Sequence, residues 1–120
     1  MPDIEPSRPA LVYAIDDDAG LRHILSRALP GMGYRYRVFE ESEELARECA
    51  HLLPDIVLSD VSLGSADGIA ACLRLRRLYP RLRIVIMTAD PDEGDRASGA
   101  GFGPALLKPF SLGELRDALA

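Results

Sequence analysis

Residues 11–18 read LVYAIDDD. The first five form a continuous apolar run without polar alternation, the pattern of a strand buried on both faces. The run stops on three consecutive acids, Asp16, Asp17 and Asp18. Like charges side by side disfavour full ionisation, so open water or a cation has to offset them. A strand buried on both faces belongs to a parallel sheet covered by helices, and the remainder of the chain supplies both.

Leu21, Ile24, Leu25, Ala28 and Leu29 follow at helical spacing, and Pro30-Gly31 predicts the end of that helix. In YRYRVF (34–39), Tyr34, Tyr36 and Val38 alternate with Arg35 and Arg37, an edge strand with charge on one side. Leu45, Ala46, Cys49, Leu52 and Leu53 mark a second helix stopped by Pro54, and DIVLS (55–59) is another buried run. Ile69, Cys72 and Leu73 begin a third helix closed by Pro80; LRIVIM (82–87) is the fourth strand. PDEGDRASGA (91–100) has two glycines and no large apolar residue, which predicts a short, frayed helix. PALLK (104–108) is a fifth short strand. Ser111 with Glu114 makes a capping box that opens a last helix through Leu115, Ala118 and Leu119.

Strand then helix, five times over, predicts an α/β fold: a doubly wound (βα)5 parallel sheet in the flavodoxin-like order 2-1-3-4-5. In that order the ligand site lies beyond the carboxyl ends of strands 1 and 3. The whole of residues 10–120 reads as one domain, and residues 1–9 as a flexible leader.

Composition narrows the function. The chain has 120 residues, 48% of them hydrophobic, enough for a core without disulfide or metal staples. Its net charge of -5, with fourteen basic residues scattered among nineteen acids, argues against a nucleic-acid surface. Cys49 and Cys72 lack metal-ligand spacing and read as small buried hydrophobes. No apolar run approaches the about 20 residues that span a bilayer. The start of the chain has no signal-peptide pattern, so a cytoplasmic location is expected. His23 and His51 pair with nothing and read as surface or packing residues.

Strand ends carry the chemistry. Asp16 and Asp17 end strand 1 and Asp60 ends strand 3, so carboxylates from neighbouring strands about 4.8 Å apart converge in one crevice. Taken alone, the triplet also suits a solvated loop that caps the next helix through Asp18. The third acid turns the reading toward a hard cation such as Mg²⁺, which takes oxygen ligands and leaves positions for phosphate oxygens. Thr88 ends strand 4 and Lys108 ends strand 5, adding a hydroxyl and an ammonium to the same rim. A carboxylate nucleophile, a metal, a cation and a hydroxyl are a set that suits a phosphoryl group.

These residues resemble the response-regulator receiver domain of two-component signalling. The resemblance rests on Asp16-Asp17, Asp60, DVSLGSADG (60–68), the TA at 88–89 and the KP at 108–109, and runs from about residue 10 to the end. It implies that Asp60 accepts a phosphoryl group from a sensor histidine kinase or histidine phosphotransfer protein. It implies Mg²⁺ (or Mn²⁺) held directly by Asp17, Asp60 and the backbone carbonyl of Ser62, with Asp16 acting through water. Lys108 would bridge the carboxylate and later the phosphoryl oxygen, and Thr88 would move toward the phosphoryl group. Asp18 would cap the first helix, while the side chains of Ser62 and Asp90 would flank the attacking water and tune the phosphoryl lifetime. The domain would catalyse only its own phosphorylation and dephosphorylation and would otherwise not be an enzyme. It would touch neither nucleic acid nor membrane directly, with room for a phosphorylation-dependent homodimer through the fourth and fifth helices.

Two positions depart from the pattern. Gly64 stands where many members have Pro in the loop after the acceptor, and Ala105 stands where an aromatic ring swings inward when the threonine moves. The stretch from Thr88 to Lys108 is also short for the family, so ordering of residues 89–103 is expected to replace the ring as the readout. Other readings fit less well. A haloacid-dehalogenase-type phosphatase wants a second acid two residues after the nucleophile, where this chain has Ser62, and room for a cap. A flavodoxin-like cofactor binder would need a phosphate cradle where three acids stand. A receiver-like adaptor that is never phosphorylated would have lost an acid or the lysine, and none is lost.

Overall fold

The computed structural model describes residues 8–61 and 68–120. Most of the 1–9 leader, Ser62 and Gly64 lie outside the described residues. Five strands, β1 (Leu11–Ile15), β2 (Arg35–Phe39), β3 (Ile56–Asp60), β4 (Arg83–Thr88) and β5 (Leu106–Leu107), form one parallel sheet in the order β2-β1-β3-β4-β5. Among the described residues, five α-helices connect and flank them: α1 (Ala19–Gly31), α2 (Ser42–His51), α3 (Gly68–Leu78), α4 (Pro91–Ala97) and α5 (Leu112–Leu119). This is the doubly wound order expected from the strand–helix alternation.

Burial divides by strand parity, because successive side chains point to opposite faces. Val12, Ala14, Ile56, Leu58, Val85, Met87 and Leu106 pack with Leu25 and Leu29 of α1 and Leu115 and Leu119 of α5. Tyr13, Ile15, Val57, Ile84 and Ile86 pack on the other face with Leu45 and Cys49 of α2 and Ile69, Cys72 and Leu75 of α3. Both cysteines are free and buried. β2 is an edge strand, with Arg35 and Arg37 exposed and Tyr36 and Val38 half-buried. Truncating a fully buried residue such as Leu25 or Leu58 to Ala would cost about 2–5 kcal/mol.

Boundaries differ from the sequence reading where local signals met backbone bonding. α1 ends at Gly31, as Pro30-Gly31 predicts, and the differences lie elsewhere. Pro30 sits in the last turn, where its missing amide removes only one bond, and the Met32 and Gly33 amides close onto the carbonyls of Ala28, Leu29 and Pro30. Gly33, at φ 91, makes the turn that releases the chain. α2 ends at His51, so Leu52 and Leu53 fall beyond it and are exposed. The Leu52 carbonyl instead accepts a 2.7 Å bond from the Tyr13 hydroxyl.

The segment after β4 is helical over α4, capped by the Asp90 side chain, which accepts from the Asp92 amide, with Pro91 in the first turn. A wider π-type turn follows over Ser98–Phe102, with Gly101 at φ 95. Arg76 of α3 braces that turn: its guanidinium donates to the Ala100 carbonyl at 2.8 Å and stacks 4.3 Å over the Phe102 ring. β5 is two residues long, shorter than the expected 104–108. Below it, an open groove of about 600 Å³ lies among Leu82, Ile84, Phe102, Pro104 and Ala105. At the other end, Ser111 and Glu114 make the expected capping box of α5. No helix among the described residues is long and apolar enough to cross a membrane.

Candidate functional site

The site grows from the strand parity of one face. Ala14 and Leu58 face α1 and α5, so the next residues of that parity, Asp16 and Asp60, leave the sheet toward the same side. Lys108 continues β5 in the same way from Leu106. The apolar stripe therefore ends in two carboxylates and an ammonium. The Lys108 Nζ donates to Asp16 Oδ2 at 2.6 Å and to Asp60 Oδ2 at 2.9 Å. Asp16 is 0% and Asp60 2% exposed, whereas Asp17 is exposed beside them. One carboxylate oxygen from each of Asp16, Asp17 and Asp60 lies within 4.8 Å of the others.

Burial sets the electrostatics. Desolvation raises the Asp16 carboxyl above its usual range; the Lys108 ammonium and the Asp18 amide pull it back, and Asp60 raises it further. Burial alone would lower the Lys108 pKa. Its hydrogen bonds to Asp16 and Asp60, with their charges, outweigh that and leave it above the ordinary lysine value. One ammonium thus faces two buried carboxylates, with a third acid at the rim. Hard divalent cations favour a donor set of this all-oxygen, net-negative kind, so the three acids fit such an ion.

Asp18 caps α1, its side chain accepting from the Gly20 amide at 2.9 Å. His23 and His51 are exposed. Thr88 is fully buried, but its parity is that of Ile84 and Ile86, on the opposite face from the acids. Its hydroxyl accepts from the Asp90 amide at 3.1 Å, at the start of α4. Its methyl group faces Gly94, where a Cβ would come 3.7 Å from it. Ala105 lies on the other side of Gly94, and Phe102 is engaged by Arg76, so no ring stands between β5 and Thr88 at position 105.

Two further residues shape the site that spacing did not single out. Arg22 donates from Nη1 to the Asp16 carbonyl at 2.9 Å. Gly68 opens α3 in backbone contact with Val61, directly after Asp60. The only sequence signal of Arg22 is a basic residue one turn into a helix, common elsewhere, whereas Gly68 closes the DVSLGSADG stretch (60–68) that carries the resemblance without a role of its own being evident there.

The response regulator receiver domain family matches residues 12–120, and the chain belongs to that family. It is a receiver domain of two-component signalling, a class whose members receive phosphoryl groups from kinases. It is 36% identical over 106 residues to the DNA-binding transcriptional regulator NtrC of Escherichia coli (strain K12), covering 87% of this chain and 23% of NtrC. It is 34% identical over 109 residues to the response regulator MprA of Mycobacterium sp. (strain KMS), covering 89% of this chain and 47% of MprA. The chain thus spans about a quarter to a half of these relatives. Among solved structures, the apo receiver domain of nitrogen regulatory protein C superposes with a TM-score of 0.80 at 34% identity, covering 92% of this chain and 91% of that one. A structure described as a transiently phosphorylated "switch" in bacterial signal transduction matches at 0.77 and 33%, with coverage of 92% and 91%.

Proposed function

We propose that Asp60 accepts a phosphoryl group from a phosphohistidine on a sensor histidine kinase or histidine phosphotransfer protein. A carboxylate oxygen of Asp60 bonds to phosphorus, the P–N bond breaks, and its electron pair returns to the imidazole, which is protonated as it leaves. The observation that carries this reading is the single Lys108 ammonium held 2.6 Å from Asp16 and 2.9 Å from Asp60. An ammonium fixed against the nucleophile is ready to neutralise the oxygens of an incoming phosphoryl group without reorganisation. Asp16, Asp17 and Asp60 would hold Mg²⁺ or Mn²⁺, which when bound neutralises phosphoryl charge. The Ser62 carbonyl, a further ligand by resemblance, lies outside the described residues. The setting is cytoplasmic, and the domain has no second reaction of its own.

Intact mass after incubation with Mg²⁺ and acetyl phosphate tests the acceptor. The expected result is one phosphoryl adduct on the parent and none on Asp60→Asn. No adduct on the parent, with Mg²⁺ binding established separately, favours the never-phosphorylated adaptor.

We infer further that phosphorylation is read out through residues 89–103. The Thr88 hydroxyl holds the start of α4 through the Asp90 amide, and Gly94 packs α4 directly on Thr88, so any movement of Thr88 reaches α4 without a ring. A homodimer through α4 and α5 would be gated by that movement. Hydrogen exchange in 89–103 that is equally fast with and without beryllofluoride would count against this readout.

A further inference from the structure

Pairing of β1 with β2 ends at Ile15 and Phe39. The Asp16 amide still donates to the Phe39 carbonyl at 3.1 Å, but beyond Phe39 the chain turns through Glu40 and Glu41 into α2. The Asp16 carbonyl is left past the end of the ladder, in a residue with no exposed surface, and needs another donor. Arg22 supplies it. Its Nη1 donates to that carbonyl at 2.9 Å, while its Nη2 lies 3.9 Å from Glu40 Oε1 across the crevice. The Arg22 amide bonds the Asp18 carbonyl at 3.0 Å, so the arginine is anchored in the same turn that it braces.

Asp16 is thereby held at four points. Its amide bonds Phe39, its carbonyl bonds Arg22, Oδ1 accepts from the Asp18 amide at 2.9 Å, and Oδ2 accepts from Lys108. Asp17 has no comparable hold; its side chain is exposed and makes no hydrogen bond or ion pair among the described residues. Its direction toward the cluster follows from the peptide plane joining it to Asp16. That plane contains the carbonyl gripped by Arg22.

We propose that Arg22 is a positioning residue for the cation site, presetting the Asp16–Asp17 peptide plane so that both carboxylates face Asp60 before a cation arrives. The proposal rests on the reading of Asp16, Asp17 and Asp60 as cation ligands and adds a residue that touches neither cation nor phosphoryl group. Groups of this kind, one step behind the ligands, commonly change metal affinity about 10–100-fold.

The test is calorimetric titration of the full chain with Mg²⁺, alongside initial rates of adduct formation from acetyl phosphate at graded Mg²⁺. Arg22→Ala is expected to weaken Mg²⁺ binding about tenfold. The Mg²⁺ needed for half-maximal rate should rise equally, with the rate at saturating Mg²⁺ near the parent's. Arg22→Lys, which offers a single donor to the carbonyl, should recover part of the affinity, and Glu40→Gln should leave it unchanged. Parent affinity in Arg22→Ala, or a lower saturating rate at unchanged affinity, overturns the proposal. If Arg22→Ala fails to fold, Arg22→Lys and Arg22→Gln carry the test, and equal affinities in parent, Lys and Gln overturn it. A parent that binds Mg²⁺ but takes no phosphoryl group sinks the acceptor reading and leaves the affinity comparison standing. A parent that binds no Mg²⁺ sinks both.

Discussion

Gly68 and Val61 touch backbone to backbone at the end of β3: a Cβ on Gly68 would lie 2.7 Å from the Val61 Cα and 3.1 Å from its Cβ. Val61 cannot retreat easily, because its amide bonds the Met87 carbonyl at 3.0 Å and it follows Asp60 directly. Gly68→Ala is therefore expected to destabilise the fold by about 1–3 kcal/mol through overpacking, although Ala is the better helix former. It should also slow phosphoryl uptake, since the forced shift falls next to Asp60. Urea unfolding with parent stability would refute the first claim.

Gly94 leads to the opposite sign. A Cβ there would meet Ala105 Cβ and Leu107 Cδ2 at 3.4 Å and Thr88 Cγ2 at 3.7 Å, which are tolerable contacts. Leu107 is 45% exposed and free to yield. Replacing glycine inside a helix by alanine gains about 0.8–1 kcal/mol, and crowding returns only part of it. Gly94→Ala should thus stabilise the domain by about 0.5 kcal/mol and slow hydrogen exchange across α4. A lower thermal midpoint would show that the α4–β5 seam has no slack.

The contrast between these glycines shows what the sequence could and could not reveal. Buried strands were legible because LVYAI and DIVLS are apolar throughout, and period two carries Ala14 into Asp16 and Leu58 into Asp60. The acid cluster and Lys108 followed from strand order alone. Pro30-Gly31 marks the end of α1 correctly, and Pro30 fits inside the last turn because it removes only one bond there. Leu52 and Leu53 carry helical spacing yet lie beyond the end of α2, because apolar residues past a helix end can keep its spacing by accident. Nothing in composition marks Arg22 as the arginine that turns inward, or Gly68 as a glycine required by contact. Such facts arise only when distant segments meet.

The buried thiols give a pH dependence. Burial, with Glu48 adding to it, pushes Cys49 up to about 11 from an ordinary 9.0. Burial raises Cys72 as well, with the Ser59 hydrogen bond and Arg76 opposing it. Only the thiolate attacks a disulfide reagent, so native Cys49 should react roughly a hundredfold more slowly than the unfolded chain from ionisation alone. The folded state keeps a proton that the unfolded state releases near 9, so this group's contribution to stability is intact below pH 9 and is lost as pH rises through about 11. Ellman titration of native and urea-unfolded protein at pH 8 checks the rates, and unfolding curves between pH 8 and 11 check the slope. Fast native labelling would mean that the α2 face opens readily.

Asp16 tests whether the site is strained toward binding a cation. Asp16→Asn keeps the shape and the Oδ1 acceptor for the Asp18 amide, but its Nδ2 then faces the Lys108 ammonium where Oδ2 accepted, and Lys108 retains Asp60. It loses the ion pair to Lys108, but also the burial cost and the repulsion from Asp60, and these dominate because the Asp16 carboxyl is raised from its ordinary 3.8. A raised acid is most favourable to the fold below its unfolded value. The parent therefore loses stability relative to Asn as pH rises from 3.8 through the folded value, and the gap persists to neutrality. In EDTA the variant should therefore gain stability relative to the parent as pH rises from 4 to 7, read as a shift in the difference of their urea midpoints. Mg²⁺ at ten times its dissociation constant stabilises the parent by about 1.4 kcal/mol and should close or reverse that gap, because the variant has lost a carboxylate from the cluster. A parent that instead gains on the variant as pH rises in EDTA would mean that the Lys108–Asp16 pair outweighs burial, and that the three acids are a structural ion-pair network before they are a cation site.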